Sequence, residues 1–257
     1  MTNWQIGRPA ILRDTGWATQ VTPSGSNHTK GSWATAVSSI GYDISGFHFS
    51  CTCPWSGQRL MTDLAIGDGS NKYILVDNLV NNYNNTYTQR NETTHWVPMK
   101  IAAGSNIYLR GQSSVGGDYY RATIIPYGGN FHGSGFGRSI VLGDNTGDTG
   151  GQNLTTTYAE LTSSLLFTVK MMYVVIIHKS YPSTYGEGWV YVAIGSSGNE
   201  IPVYSRRITC QNSSIAIWGY PDSHALPVNI AQGSRVSIKV TDSDANSKID
   251  GIVYCYG

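Results

Sequence analysis

The chain has 257 residues, of which 30 are glycine and only 13% are charged, and a formal net charge of +1. This composition argues against a disordered or fibrous protein, and against a nucleic-acid binder, which needs surplus Lys and Arg to neutralise a phosphate backbone. Seventeen tyrosines, seven tryptophans and many Thr, Val and Ile residues favour strands, with Gly, Asn and Ser clusters for the turns, so the expected class is all-β.

Residues 1–18 carry neither the basic stretch and apolar run of a secretory signal nor a membrane span, and no later segment reaches span length. Their apolar residues Trp4, Ile6, Ile11, Leu12 and Trp17 match nothing in the second half, which marks this arm as a candidate attachment segment. From there the chain reads twice. Trp33-Ala-Thr-Ala-Val-Ser-Ser leads into a strand at Tyr42–Phe49, as Tyr158-Ala-Glu-Leu-Thr-Ser-Ser leads into one at Phe167–Val175. Met61-Thr-Asp-Leu-Ala-Ile-Gly parallels Val190-Tyr-Val-Ala-Ile-Gly, each a strand ending in a polar turn.

Val97-Pro-Met-Lys-Ile-Ala-Ala-Gly-Ser aligns without gaps on Leu226-Pro-Val-Asn-Ile-Ala-Gln-Gly-Ser, and each half closes on Tyr-Gly. Pro98 and Pro227 suit strand starts or edges, and Gly104 and Gly233 suit a tight turn with positive φ. Tyr42 and Ile44 alternate with polar residues, the period of a half-buried strand. Met171–Ile177 is continuously apolar, as expected of a strand covered on both faces.

The expected organisation is an arm (1–18), a first antiparallel β-sandwich (19–128), a Gly-rich linker (129–138) containing Phe131 and Phe136, and a second sandwich (139–257). Both sandwiches are expected to be of jelly-roll or related Greek-key type. The strand order is not legible.

These landmarks resemble structural proteins of tailed bacteriophages that carry one or two copies of a sandwich domain. The matches are Thr35–Ser39 before Tyr42, Ala65-Ile66-Gly67, Pro98–Ser105 with Arg110, and their counterparts Glu160–Ser164, Ala193-Ile194-Gly195 and Pro227–Ser234 with Lys239. The resemblance implies a non-enzymatic virion component, such as a head decoration, fibre or tail protein. It would be assembled in the host cytoplasm as a homo-oligomer against capsid, portal, collar or tail proteins, without cofactor or membrane insertion. A receptor- or glycan-binding module of the particle is the alternative. Cys51-Thr-Cys-Pro-Trp-Ser-Gly interrupts the family pattern.

Chemistry-bearing motifs are sparse. Six scattered histidines form no metal-binding pair, and Cys51, Cys53, Cys210 and Cys255 are expected to be free thiols. Asp242–Asp250 has oxygen ligands at alternate positions but lacks the glycine and final glutamate of a calcium loop, so a solvated hairpin turn is expected. Gly133-Ser-Gly-Phe-Gly137 lacks the context of a nucleophile elbow, and the sixteen acids show no facing pair, so no catalytic residue is expected. Candidate contact residues are the aromatics of two long polar segments, with their flanking Arg and His: Tyr83, Tyr87, Arg90 and His95, and Tyr181, Tyr185 and Trp189.

Overall fold

The computed structural model describes residues 19–52, 59–81, 92–128, 135–178, 186–210, 226–241 and 249–257. The arm 1–18, Cys53, Tyr83, Tyr87, Arg90, Phe131, Tyr181, Tyr185 and residues 242–248 lie outside them. The chain divides into two compact units, Met1–Ser139 with Thr146–Thr149, and Ile140–Asn145 with Gly150–Gly257.

Unit 1 holds β1 (Thr19–Val21), β2 (Ala34–Val37), β3 (Ile44–Thr52), β4 (Leu60–Gly67), β5 (Lys72–Asn81), β6 (Glu92–Val97), β7 (Asn106–Ser113) and β8 (Tyr120–Gly128). They form two antiparallel four-stranded sheets of order β1-β8-β3-β6 and β2-β7-β4-β5. The chain changes sheet at every connection except the β4–β5 hairpin, the two-sheet jelly-roll path.

The remaining strands are β9 (Ser139–Leu142), β10 (Asp144–Asn145), β11 (Gly150–Asn153), β12 (Ala159–Thr162), β13 (Val169–His178), β14 (Gly186–Ile194), β15 (Ile201–Cys210), β16 (Leu226–Ile230), β17 (Val236–Val240) and β18 (Ile249–Tyr256). Their sheets run β10-β11-β18-β13-β16, with β9 also on β18, and β12-β17-β14-β15. From β11 onward this is the path of unit 1 again, so the repeated sequence is a repeated topology.

The repeats explain the register. Ala65-Ile66-Gly67 pairs with the start of β7 as Ala193-Ile194 pairs with the start of β17. Gly104 (φ 83°) and Gly233 (φ 84°) make the left-handed turns that return the chain into those strands. Pro98 follows β6 and Pro227 lies in β16, both edge strands, where a missing N–H costs no ladder bond.

Unit 1 packs Phe47, Phe49, Leu64, Ile107 and Leu109 between its sheets, each contributing about 1.5–3 kcal/mol by leaving water. Tyr120 reaches across to hydrogen-bond Thr62 inside this core. Gly111 leaves the space that its ring fills. Unit 2 packs Val174, Val190, Val192, Ile238 and Val253 in the same way.

Two expectations are refined by the packing. The alternation at Tyr42–Phe49 shifts at an irregularity between Ile44 and Gly46, after which Phe47, Phe49 and Cys51 point inward. Strand β13 lies between β18 and β16 and is buried on both faces from Met172 to Ile177. Phe136 exchanges backbone hydrogen bonds with Pro98 (2.7 Å) and Lys100 (2.9 Å), so this end of the expected linker is fixed to unit 1. Cys51 and Cys255 are buried free thiols, and burial pushes Cys255 up to about 12.

Candidate functional site

The outward face of β2-β7-β4-β5 in unit 1 carries a cluster of charges. Its centre is Asp63, an acid in the middle of β4, whose side chain is only 1% exposed. Register sets it beside Arg110 of β7, whose Nε donates to Asp63 Oδ2 at 2.7 Å. The Arg110 guanidinium lies 4.4 Å from the centre of the Trp33 ring, a cation–π contact. Lys30, from the long connection between β1 and β2, reaches Asp63 at 2.8 Å and Asp77 Oδ1 at 2.7 Å.

Opposite Asp63 the ladder between β4 and β5 is irregular. One register shift falls between Leu64 and Ala65, and the strand pair β14–β15 has its equivalent between Val192 and Ala193. Unit 1 adds a second shift, between Thr62 and Leu64, which displaces Asp77 and Asn78. Asn78 takes the left-handed conformation (φ 49°), and its N–H donates to Asp63 Oδ1 at 3.0 Å. A bulge that re-aims an acid is a device found beside active sites.

The two carboxyls are hydrogen-bonded to one another but hold protons differently. For Asp63, burial favours the protonated form, but hydrogen bonds with Asp77, Lys30, the Asn78 N–H and Arg110 outweigh it and hold the carboxyl below its ordinary range. Asp77 is pushed up to about 6 by burial and by Asp63, against the pull of Lys30. Partial burial and then the Asp63 carboxylate retain that proton, while 47% of the Asp77 side chain remains in solvent. Asp63 is therefore a fixed anion with its oxygens occupied, and Asp77 is the outward group that can exchange a proton near neutral pH.

Unit 2 replaces this chemistry. Tyr191 occupies the place of Asp63 beside Lys239, and Ser205 stands opposite it where unit 1 has Asp77. Lys239 lies 4.4 Å from the Tyr158 ring centre and 5.7 Å from that of Tyr191. Arg235 joins Glu160 (2.6 Å) and Glu200 (3.3 Å) nearby, a structural tie between β12 and the β14–β15 turn.

Of the contact residues expected from sequence, two fall in the described part. His95 sits inside β6, buried, with Nε2 2.9 Å from the Val80 carbonyl, and burial lowers its pKa to about 4. This corrects its expected place on a contact surface, because the strand faces it inward. Trp189 is 44% exposed on β14. The sequence reading missed Lys30, Asp63, Asp77 and Arg110 as a group.

No family model matches the chain, and no curated protein does. Among solved structures it is similar to PNGase F, a glycosylasparaginase from Flavobacterium meningosepticum, at 12% identity and a TM-score of 0.41, with 93% of each chain covered. A recombinant N-glycanase F (PNGase F) structure gives 11% identity and a TM-score of 0.36, covering 93% of this chain and 95% of that one. These neighbours are enzymes, which stands against the expectation of a non-enzymatic structural component without a catalytic residue. At this distance the likeness transfers no residue, substrate or activity; the chain itself is a two-unit, all-β jelly-roll protein.

Proposed function

We propose that unit 1 carries a proton-transfer site for hydrolysis, with Asp77 as the group that takes and returns the proton. The observation that supports this reading is the hydrogen-bonded pair Asp63–Asp77, in which one carboxyl is held low and the other is raised to about 6. A general acid–base is most effective when its pKa lies near the working pH. Direct contact between the carboxyls leaves no room for a sugar ring between them, the arrangement that glycosidic cleavage by paired acids requires. The reading is therefore hydrolysis at an acyl centre. Ionised Asp77 removes a proton from water as the water oxygen bonds to the acyl carbon; the bond from that carbon to the leaving group then breaks, and Asp77 returns the proton to the departing atom. Lys30, at 2.7 Å, balances the charge on Asp77 throughout. The sequence landmarks support a location on a phage particle, where the chain would act as a carried enzyme on acylated surface polymers of the host.

The test is release of carboxylic acid from acylated envelope polysaccharide by the full chain between pH 4 and 8. Turnover rising through about pH 6 and lost in Asp77→Asn is the expected result. No release at any pH, or an Asp77→Asn variant as active as the parent, would overturn the reading.

A further inference from the structure

The outward face of β12-β17-β14-β15 in unit 2 has no role in the proton-transfer site. Cross-strand register sets its side chains in two rows. One row runs Tyr158, Lys239, Tyr191 and Ser205, joined by the two cation–π contacts already described. The next holds Thr241, Trp189 and Arg207: Trp189 faces Arg207 across the ladder, and its backbone N–H donates to Thr241 Oγ1 at 2.9 Å. Trp189 is 44% exposed and Arg207 is exposed beside it. Among the described residues Lys239 has no carboxylate partner, and its ammonium rests against two rings instead.

We infer that this face is a binding platform for an acidic polysaccharide of the polyuronate type. The rings of Trp189, Tyr158 and Tyr191, held on a rigid sheet, offer flat apolar surfaces suited to the C–H faces of pyranose rings. Lys239, set among them, complements a carboxylate of the polymer. An extended chain lying across two rows of strand residues meets aromatic and cationic groups in alternation, which a neutral glucan would use only in part. The matching face of unit 1 lacks the platform, since Met61 and its ladder partner Val80, at the positions of Trp189 and Arg207, are buried there.

The experiment is affinity gel electrophoresis of the full chain through polygalacturonate or dextran. Retardation by polygalacturonate, weakened by added salt and absent with dextran, is expected. Trp189→Ala and Lys239→Met should each weaken the apparent affinity about tenfold, with Lys239→Arg close to the parent. Unfolding midpoints check that each variant is folded. Should Trp189→Ala fail that check, Lys239→Met against Lys239→Arg carries the same reading. No retardation by polygalacturonate, equal retardation by dextran, or full affinity in folded variants lacking Trp189 or Lys239 would each overturn the inference. Failure here leaves acyl hydrolysis by unit 1 untouched, because the two assays read different units.

Discussion

Across β7, β4 and β5 of unit 1 the outward residues are Arg110, Asp63 and Asp77; across β17, β14 and β15 of unit 2 they are Lys239, Tyr191 and Ser205. The cation is kept and so is an aromatic partner for it, Trp33 in one unit and Tyr158 in the other. Both carboxylates are found in unit 1 only. The difference follows from what covers each face. In unit 1 the longer connection between Val21 and Ala34 lies along β7, with hydrogen bonds from His28 to Ser113 (2.7 Å) and from Gly31 to Gly111 (2.8 Å), and delivers Lys30 onto the acids. In unit 2 the corresponding connection, between Asn153 and Ala159, is shorter, and Trp189 remains in solvent. A single scaffold thus supports a covered acid–base cluster and an open aromatic face, because strand order and core are set by the inward residues alone.

The largest expected contrast is in packing. Met61→Ala should cost about 3 kcal/mol in urea unfolding, since Met61 is buried, whereas Trp189→Ala at the equivalent exposed position should cost under about 1 kcal/mol. Equal costs would contradict the difference in covering. Next comes charge. Arg110→Met removes one of two cations from a buried carboxylate and should cost about 2 kcal/mol, while Lys239→Met should stay within about 0.5 kcal/mol.

The smallest contrast is in pH dependence. Asp77 is raised in the folded state, so its contribution is complete below its ordinary value of 3.8 and disappears as pH rises through about 6. Asp63 is lowered, so its contribution holds above that ordinary value and is lost only as pH falls through the depressed one. The parent should therefore exceed Asp77→Asn in stability near pH 4, with the gap narrowing by pH 7. Ser205→Ala should show no such trend in parallel denaturant titrations.

Much of the fold was legible because repeats are written in the residues that make strands and turns. The Ala-Ile-Gly strand ends, the Gly104 and Gly233 turns and the apolar run of β13 each have one dominant physical meaning. The strand order was not, since alternation shows which residues face inward but not which strands are neighbours. The charged site was hidden for a related reason: Lys30, Asp63, Asp77 and Arg110 come from separate strands and a connection, and only pairing brings them together. Two local signals do mark it. Asp63 interrupts the otherwise apolar or uncharged stretch Leu60-Met-Thr-Asp-Leu-Ala-Ile, and Asp77-Asn78 places turn-forming residues inside a strand. The repeat supplies a third, since the Ala-Ile-Gly alignment sets Asp63 against Tyr191. His95 failed as a contact residue because a polar sequence neighbourhood does not say which face of β6 turns inward.

The central claim is that unit 1 holds two touching carboxyls with separated proton affinities. Carbon-13 NMR titration of the aspartate side-chain carboxyls in the full chain, assigned with Asp63→Asn and Asp77→Asn, measures this directly. The expected result is one resonance, absent in Asp77→Asn, titrating near pH 6, and another, absent in Asp63→Asn, that stays ionised well below the ordinary aspartate range. Two resonances titrating together near the ordinary value of 3.8 would contradict the account.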